Sequence, residues 1–147
     1  MIKELLQRWG IKKAPKEDFG CRCVLVVDDN KVDLTLLKRT VEKMGHRVLT
    51  AENGVAGLQL AKKERPDLIL SDCRMPEMDG VAMYKQMMED PELKDIPFVF
   101  LTAVDSPNNI VECFDIGAAN YICKPIKPKL LAGQITAIFK EHFGSST

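Results

Sequence analysis

The stretch Leu68-Ile69-Leu70-Ser71-Asp72-Cys73-Arg74-Met75-Pro76-Glu77-Met78-Asp79-Gly80 decides the fold. Its first three residues are continuously apolar, which suits a strand covered by helices on both faces. The run breaks at Ser71-Asp72, and Met75 to Gly80 reads as a turn leading into a helix, with Gly80 as its hinge. Strand, polar end, turn and helix make one unit of an alternating α/β chain.

The unit recurs on either side. Val24-Leu25-Val26-Val27, Arg47-Val48-Leu49-Thr50-Ala51, Phe98-Val99-Phe100-Leu101 and Tyr121-Ile122-Cys123 supply four more strands. Between them, Leu34, Leu37, Val41 and Met44 form a helical stripe that stops at Gly45, and Val55, Leu58 and Ala61 form another that stops before Pro66. Met83 pairs with Met87, and Tyr84 with Met88, at a spacing of four; Ile110, Cys113 and Phe114 precede Gly117. Leu131, Ile135, Ile138 and Phe139 follow Pro128, a residue suited to a helix start. The pattern is (βα)5. It predicts an α/β fold with a doubly wound, five-stranded parallel sheet in the flavodoxin-like order 2-1-3-4-5, and a ligand crevice at the carboxyl ends of the strands.

The chain has 147 residues, enough for one such domain with a full core. Residues 1–20 read as an N-terminal extension, a short amphipathic helix carrying Ile2, Leu5, Leu6 and Trp9 on one face followed by a polar linker. Residues 21–143 form the domain and 144–147 a tail. Twenty-one basic and 21 acidic residues cancel, so no overall field draws the protein to nucleic acid or an anionic membrane. Partners are expected to be proteins or small molecules. Charges at Lys3 and Glu4 spoil a secretion signal, which makes a cytoplasmic protein with reduced thiols the expectation for the five cysteines.

The chemistry lies at the strand ends. The first strand runs into Asp28-Asp29, the third into Ser71-Asp72, the fourth into Thr102 and the fifth into Lys124-Pro125. Taken singly, each has a plain reading: an Asp pair after a strand is commonly a helix cap, and a lone Asp a turn residue. Together, in order, on one edge of one sheet, they define a site. Three carboxylates so gathered repel by roughly 4 kcal/mol per pair at 4 Å and an effective dielectric near 20. A hard divalent cation, Mg2+ or Mn2+, answers that repulsion with all-oxygen ligation. Lys124 adds a fixed positive charge and Thr102 a hydroxyl, which makes a phosphoryl-transfer site.

Across residues 22–143 the chain resembles the receiver domains of two-component response regulators, most specifically in Ser71 to Gly80. The resemblance implies that Asp72 is the phosphoacceptor and that Asp28, Asp29, Asp72 and the Arg74 backbone carbonyl hold magnesium. It also implies that Thr102 and Lys124 contact the phosphoryl oxygens, that Lys124-Pro125 is cis, and that Tyr121 is the switch aromatic. A single-domain regulator of this kind, monomeric or weakly dimeric, takes its phosphoryl group from a sensor histidine kinase or a histidine phosphotransfer protein. It signals to a target protein through the face made by its fourth helix, fifth strand and fifth helix. It is not a turnover enzyme, although it catalyses its own phosphoryl uptake and slow loss. Arg74 and Val104 occupy the two positions that tune that loss; neither carries a carboxylate or amide to orient water, so a long-lived phosphorylated state is expected.

Three other readings are weighed against this one. A haloacid-dehalogenase-like phosphatase needs Asp-x-Asp after the first strand, where this chain has Asp28-Asp29-Asn30. A flavin binder needs a phosphate-cradling loop there, and two carboxylates repel phosphate. A phosphorylation-independent interaction module would have no use for the complete acidic pair, Asp72, Thr102 and Lys124. Cys73 and Cys123, beside site residues, are expected to face the core, and Cys21-Arg22-Cys23 lacks the partners of a zinc site. His46 and His142 are expected to be solvated helix-end residues.

Overall fold

A computed structural model describes residues 20–75, 77–103 and 120–143. The N-terminal stripe with Trp9, the stretch holding Val104, Ile110, Cys113, Phe114 and Gly117, and the tail lie outside the described residues. Five strands are present: β1 (Cys23–Val27), β2 (Arg47–Ala51), β3 (Leu68–Asp72), β4 (Phe98–Ala103) and β5 (Asn120–Lys124). All pairings are parallel, in the order β2-β1-β3-β4-β5, as the sequence predicts. Helices α1 (Lys31–Lys43), α2 (Gly54–Glu64) and α3 (Gly80–Met88) follow the first three strands, and a C-terminal helix (Pro128–Phe143) follows the fifth.

The pleat of the strands divides the core in two. Leu25, Val27, Ile69, Phe98 and Phe100 point to one face and pack with Leu58 and Ala61 of α2 and Val81, Met83, Tyr84 and Met87 of α3. Val24, Val26, Leu68, Leu70, Val99, Leu101 and Ile122 point to the other. They meet Leu37 and Val41 of α1 and Leu131, Ile135, Ile138 and Phe139 of the C-terminal helix. Strands buried on both sides have no polar side to show, which is why their sequences are unbroken apolar runs.

Several local details differ from the sequence reading. The strands run one or two residues past their apolar stretches, because the parallel ladder continues: Asp72 pairs with Leu101, Thr102 with Cys123 and Ala103 with Lys124. Asp72, Thr102 and Lys124 are therefore strand residues held by sheet geometry, not loop residues. In α2 the stripe is displaced: Val55 is exposed, while Gly54 and Gly57 join Leu58 and Ala61 in the interior. A Cβ on Gly57 would stand 2.9 Å from Val27 Cγ2, and one on Gly54 would meet the Met78 carbonyl, so bare positions let the helix lie close to the sheet and to the turn after β3.

His46 is not a solvated helix end. Gly45, at φ +93°, turns the chain back, and His46 Nδ1 accepts a hydrogen bond from the Arg22 backbone N–H at 3.1 Å while its ring meets Phe139 edge-on. Burial, reinforced by the Arg22 charge, holds its pKa below the usual value. His142 is exposed, as expected. Cys73 is buried, but Cys123 is exposed, since β5 is the outermost strand of the sheet. All four described cysteines are free.

Gly80 is not the hinge of its turn either. The left-handed residue there is Glu77, at φ +66°, and Gly80 is the first residue of α3 behind the cap Asp79, whose side chain accepts from Ala82 N at 2.9 Å. What Gly80 supplies is room: a Cβ would stand 2.1 Å from the Asp72 carbonyl oxygen and 2.8 Å from Ser71 Oγ. Backbone cannot give way as a side chain can. Gly80→Ala is expected to lower stability by about 1–3 kcal/mol, the usual cost of overpacking, read as a lower urea midpoint at unchanged slope.

Candidate functional site

The carboxyl ends of β1, β3, β4 and β5 bring the predicted residues to one edge. Immediately after β1 the chain needs a cap for α1, and the residue that provides it is Asn30, whose Oδ1 accepts from Val32 N at 3.0 Å and Asp33 N at 3.1 Å. Because Asn30 caps the helix, Asp28 and Asp29 are not consumed by that task. Asp28 is fully buried; its Oδ1 accepts from Asn30 N at 2.9 Å, and its Oδ2, sealed from solvent, faces the Lys124 ammonium at 3.0 Å. Burial raises the Asp28 pKa, against the pull of the Asn30 N–H and of Lys124.

Asp28, Asp29 and Asp72 each offer a carboxylate oxygen, and these oxygens lie within 4.8 Å of one another. It is the one cluster of potential metal-ligating side chains among the described residues. An oxygen-only donor set of three carboxylates this close together fits a small hard dication. The Arg74 side chain points elsewhere, pairing with Asp79 at 2.9 Å, so any part it takes in ligation falls to its backbone.

Lys124 reaches into the cluster from the end of β5. Its ammonium lies 3.0 Å from Asp28 Oδ2, 3.3 Å from Asp72 Oδ2 and 2.9 Å from Asp33 Oδ2. Burial works against the charged form, but hydrogen bonding to Asp33 and Asp28 overrides it and raises the pKa above that of an ordinary lysine. Thr102, 1 % exposed, completes the row at the end of β4, and the Lys124-Pro125 peptide is cis. Tyr121 is half-buried against the α2/α3 side of the core.

Asp33 is the residue that sequence reasoning did not single out. Its signal was positional. In the first turn of a helix side chains lean toward the N-terminus, and three residues past the Asn30 cap that direction leads over the sheet edge.

Residues 24–136 match the response regulator receiver domain family. Protein PilH of Pseudomonas aeruginosa is 36% identical over 115 residues, 78% of this chain and 95% of PilH. The chemotaxis response regulator CheY4 of Vibrio cholerae superposes with a TM-score of 0.75 at 31% identity, covering 81% of this chain and 99% of that one. The receiver domain of the sensor histidine kinase PA1611 from P. aeruginosa, solved with a magnesium ion coordinated in its active-site cleft, gives a TM-score of 0.74 at 27% identity. That match covers 86% of this chain and 100% of the other. The chain belongs to the response regulator receiver domain family. It is thus a phosphoacceptor signalling module and not a turnover enzyme, which sets aside the phosphatase and flavin alternatives. The Asp28/Asp29/Asp72 cluster resembles the magnesium site of such domains. No helix among the described residues is long and apolar enough to cross a membrane.

The gathered carboxylates have a thermodynamic consequence. Burial, with the charges of Asp28 and Asp29 and against that of Lys124, pushes the Asp72 pKa up to about 6 from 3.8. The folded, metal-free protein then binds more protons than the unfolded chain between about pH 4 and 6, so stability falls as pH rises through that window. The full penalty is present at pH 7. Asp72→Asn is expected to raise the stability of the metal-free protein at pH 7 by on the order of 1–3 kcal/mol, with little gain at pH 4. Urea unfolding in a chelating buffer at the two pH values checks it.

Proposed function

We propose that the protein is a phosphorelay response regulator that accepts a phosphoryl group on Asp72 in a magnesium-dependent reaction. The observation that carries this reading is the Asp28/Asp29/Asp72 cluster with the Lys124 ammonium set into it at 3.0 and 3.3 Å. Receiver domains pair with histidine kinases, and a phosphohistidine is the donor. An Asp72 carboxylate oxygen attacks phosphorus, a P–O bond forms as the P–N bond to imidazole breaks, and the leaving imidazole takes a proton. Asp28, Asp29, Asp72 and the Arg74 carbonyl would hold the metal, and magnesium bound there would neutralise phosphoryl oxygens.

The chain's own groups do the rest. Lys124 places an ammonium beside the Asp72 oxygen, where charge accumulates on the transferred group, and Thr102 offers a hydroxyl from the adjacent strand. Movement of Thr102 toward the phosphoryl group leaves space that Tyr121 fills, which alters the surface around β5 and the C-terminal helix that a target protein reads. Arg74, engaged with Asp79, presents no base to orient water, which favours slow hydrolysis of the acyl phosphate. With a small-molecule donor and Mg2+, the protein is expected to gain one hydroxylamine-labile phosphoryl group, visible as a shift on a phosphate-affinity gel. Asp72→Asn should gain none while keeping its circular dichroism spectrum. Labelling undiminished by that substitution, or labelling independent of a divalent ion, would refute the assignment.

A further inference from the structure

The contact between Asp33 and Lys124 carries a further step, which rests on the phosphoacceptor reading. An ammonium has three N–H donors, and three carboxylates, of Asp33, Asp28 and Asp72, already lie at 2.9, 3.0 and 3.3 Å from it. A phosphoryl oxygen that is to reach Lys124 must displace one of them. Asp72 cannot leave, since it carries the group. Asp28 is 0 % exposed and its Oδ2 rests against the Lys124 ammonium, so parting from Lys124 would strand a charge in the interior. Asp33 has the most exposed carboxylate of the three, at 23 %, and sits on the first turn of α1, where water can rehydrate it.

We propose that Asp33 is a positioning residue that holds Lys124 in the unphosphorylated protein and is the partner exchanged for a phosphoryl oxygen. Its backbone N–H is bound to the Asn30 cap at 3.1 Å, so its carboxylate is anchored to the same turn that carries Asp28 and Asp29. Asp33 therefore competes with the incoming group and sets how readily the site is charged. A purely structural role, as an acid favouring the start of α1, would affect helix stability and leave the phosphoryl site alone.

The test is beryllofluoride affinity at saturating Mg2+, with phosphorylation rate from acetyl phosphate alongside. Asp33→Asn and Asp33→Ser should each bind beryllofluoride about two- to fivefold more tightly than wild type, the range expected for release of a partly exposed ion pair, and take up phosphoryl faster. Asp33→Glu, which keeps the charge, should stay near wild type. Glu52→Gln, which removes an exposed charge just past β2 at the same edge, should do nothing. Unchanged or weaker binding in both neutral variants overturns the proposal, as does equal tightening in Glu52→Gln, which would point to a general field. Wild type that fails to bind beryllofluoride with Mg2+ would overturn the phosphoacceptor reading itself, and this inference with it.

Discussion

One ammonium among several carboxylates is the interaction on which the site depends. Asp28, Asp33 and Asp72 all lie within 3.3 Å of Lys124, and Asp29 joins the same cluster. Without that cation, carboxylates at such spacing would each favour protonation. With it, three of these carboxylates share one counter-charge at ion-pair distance. Lys124 is the last residue of β5, and its reach into the cluster depends on β5 being the outermost strand in register with β4.

The fold serves that arrangement by making its members rigid. Asp72, Thr102 and Lys124 are fixed by ladders of parallel strands whose inner residues are buried on both faces. Asp28 is fixed differently, through its own N–H to the Ala51 carbonyl at 3.1 Å and through the capped turn that follows. On the far side of Asp72, α3 begins with Gly80 so close to the Asp72 carbonyl that no side chain fits between them. The Asp72 carboxylate is thereby held from its backbone, with its side chain left to face Lys124 and the other carboxylates.

Much of this was legible in the sequence because short apolar runs alternating with amphipathic helical stretches read as strands of a parallel sheet, and polar residues at the ends of such strands share an edge. Asp28, Asp29, Asp72, Thr102 and Lys124 follow from that rule. Asp33 did not, since a first-turn acid is common on any helix and only the folded chain shows which cation it meets. Val55 misled because a stripe of apolar residues does not reveal that two glycines bring a helix too close for side chains. His46 misled because a glycine at positive φ reversed its direction, which residue type alone does not announce.

The division of the core by the sheet has a consequence for how the molecule can be observed. Alternate residues of one strand belong to separate compartments: Phe100 sits with the α2/α3 side, and its neighbours Val99 and Leu101 with α1 and the C-terminal helix. Methyl groups of Met83 and Met87 thus look into one chamber, and those of Ile135 and Ile138 into the other. The partition is one strand thick, and the polar edge is where both chambers end. An isotope label on either set reads its own side of the wall, so a change that begins at that edge can be followed into each compartment separately.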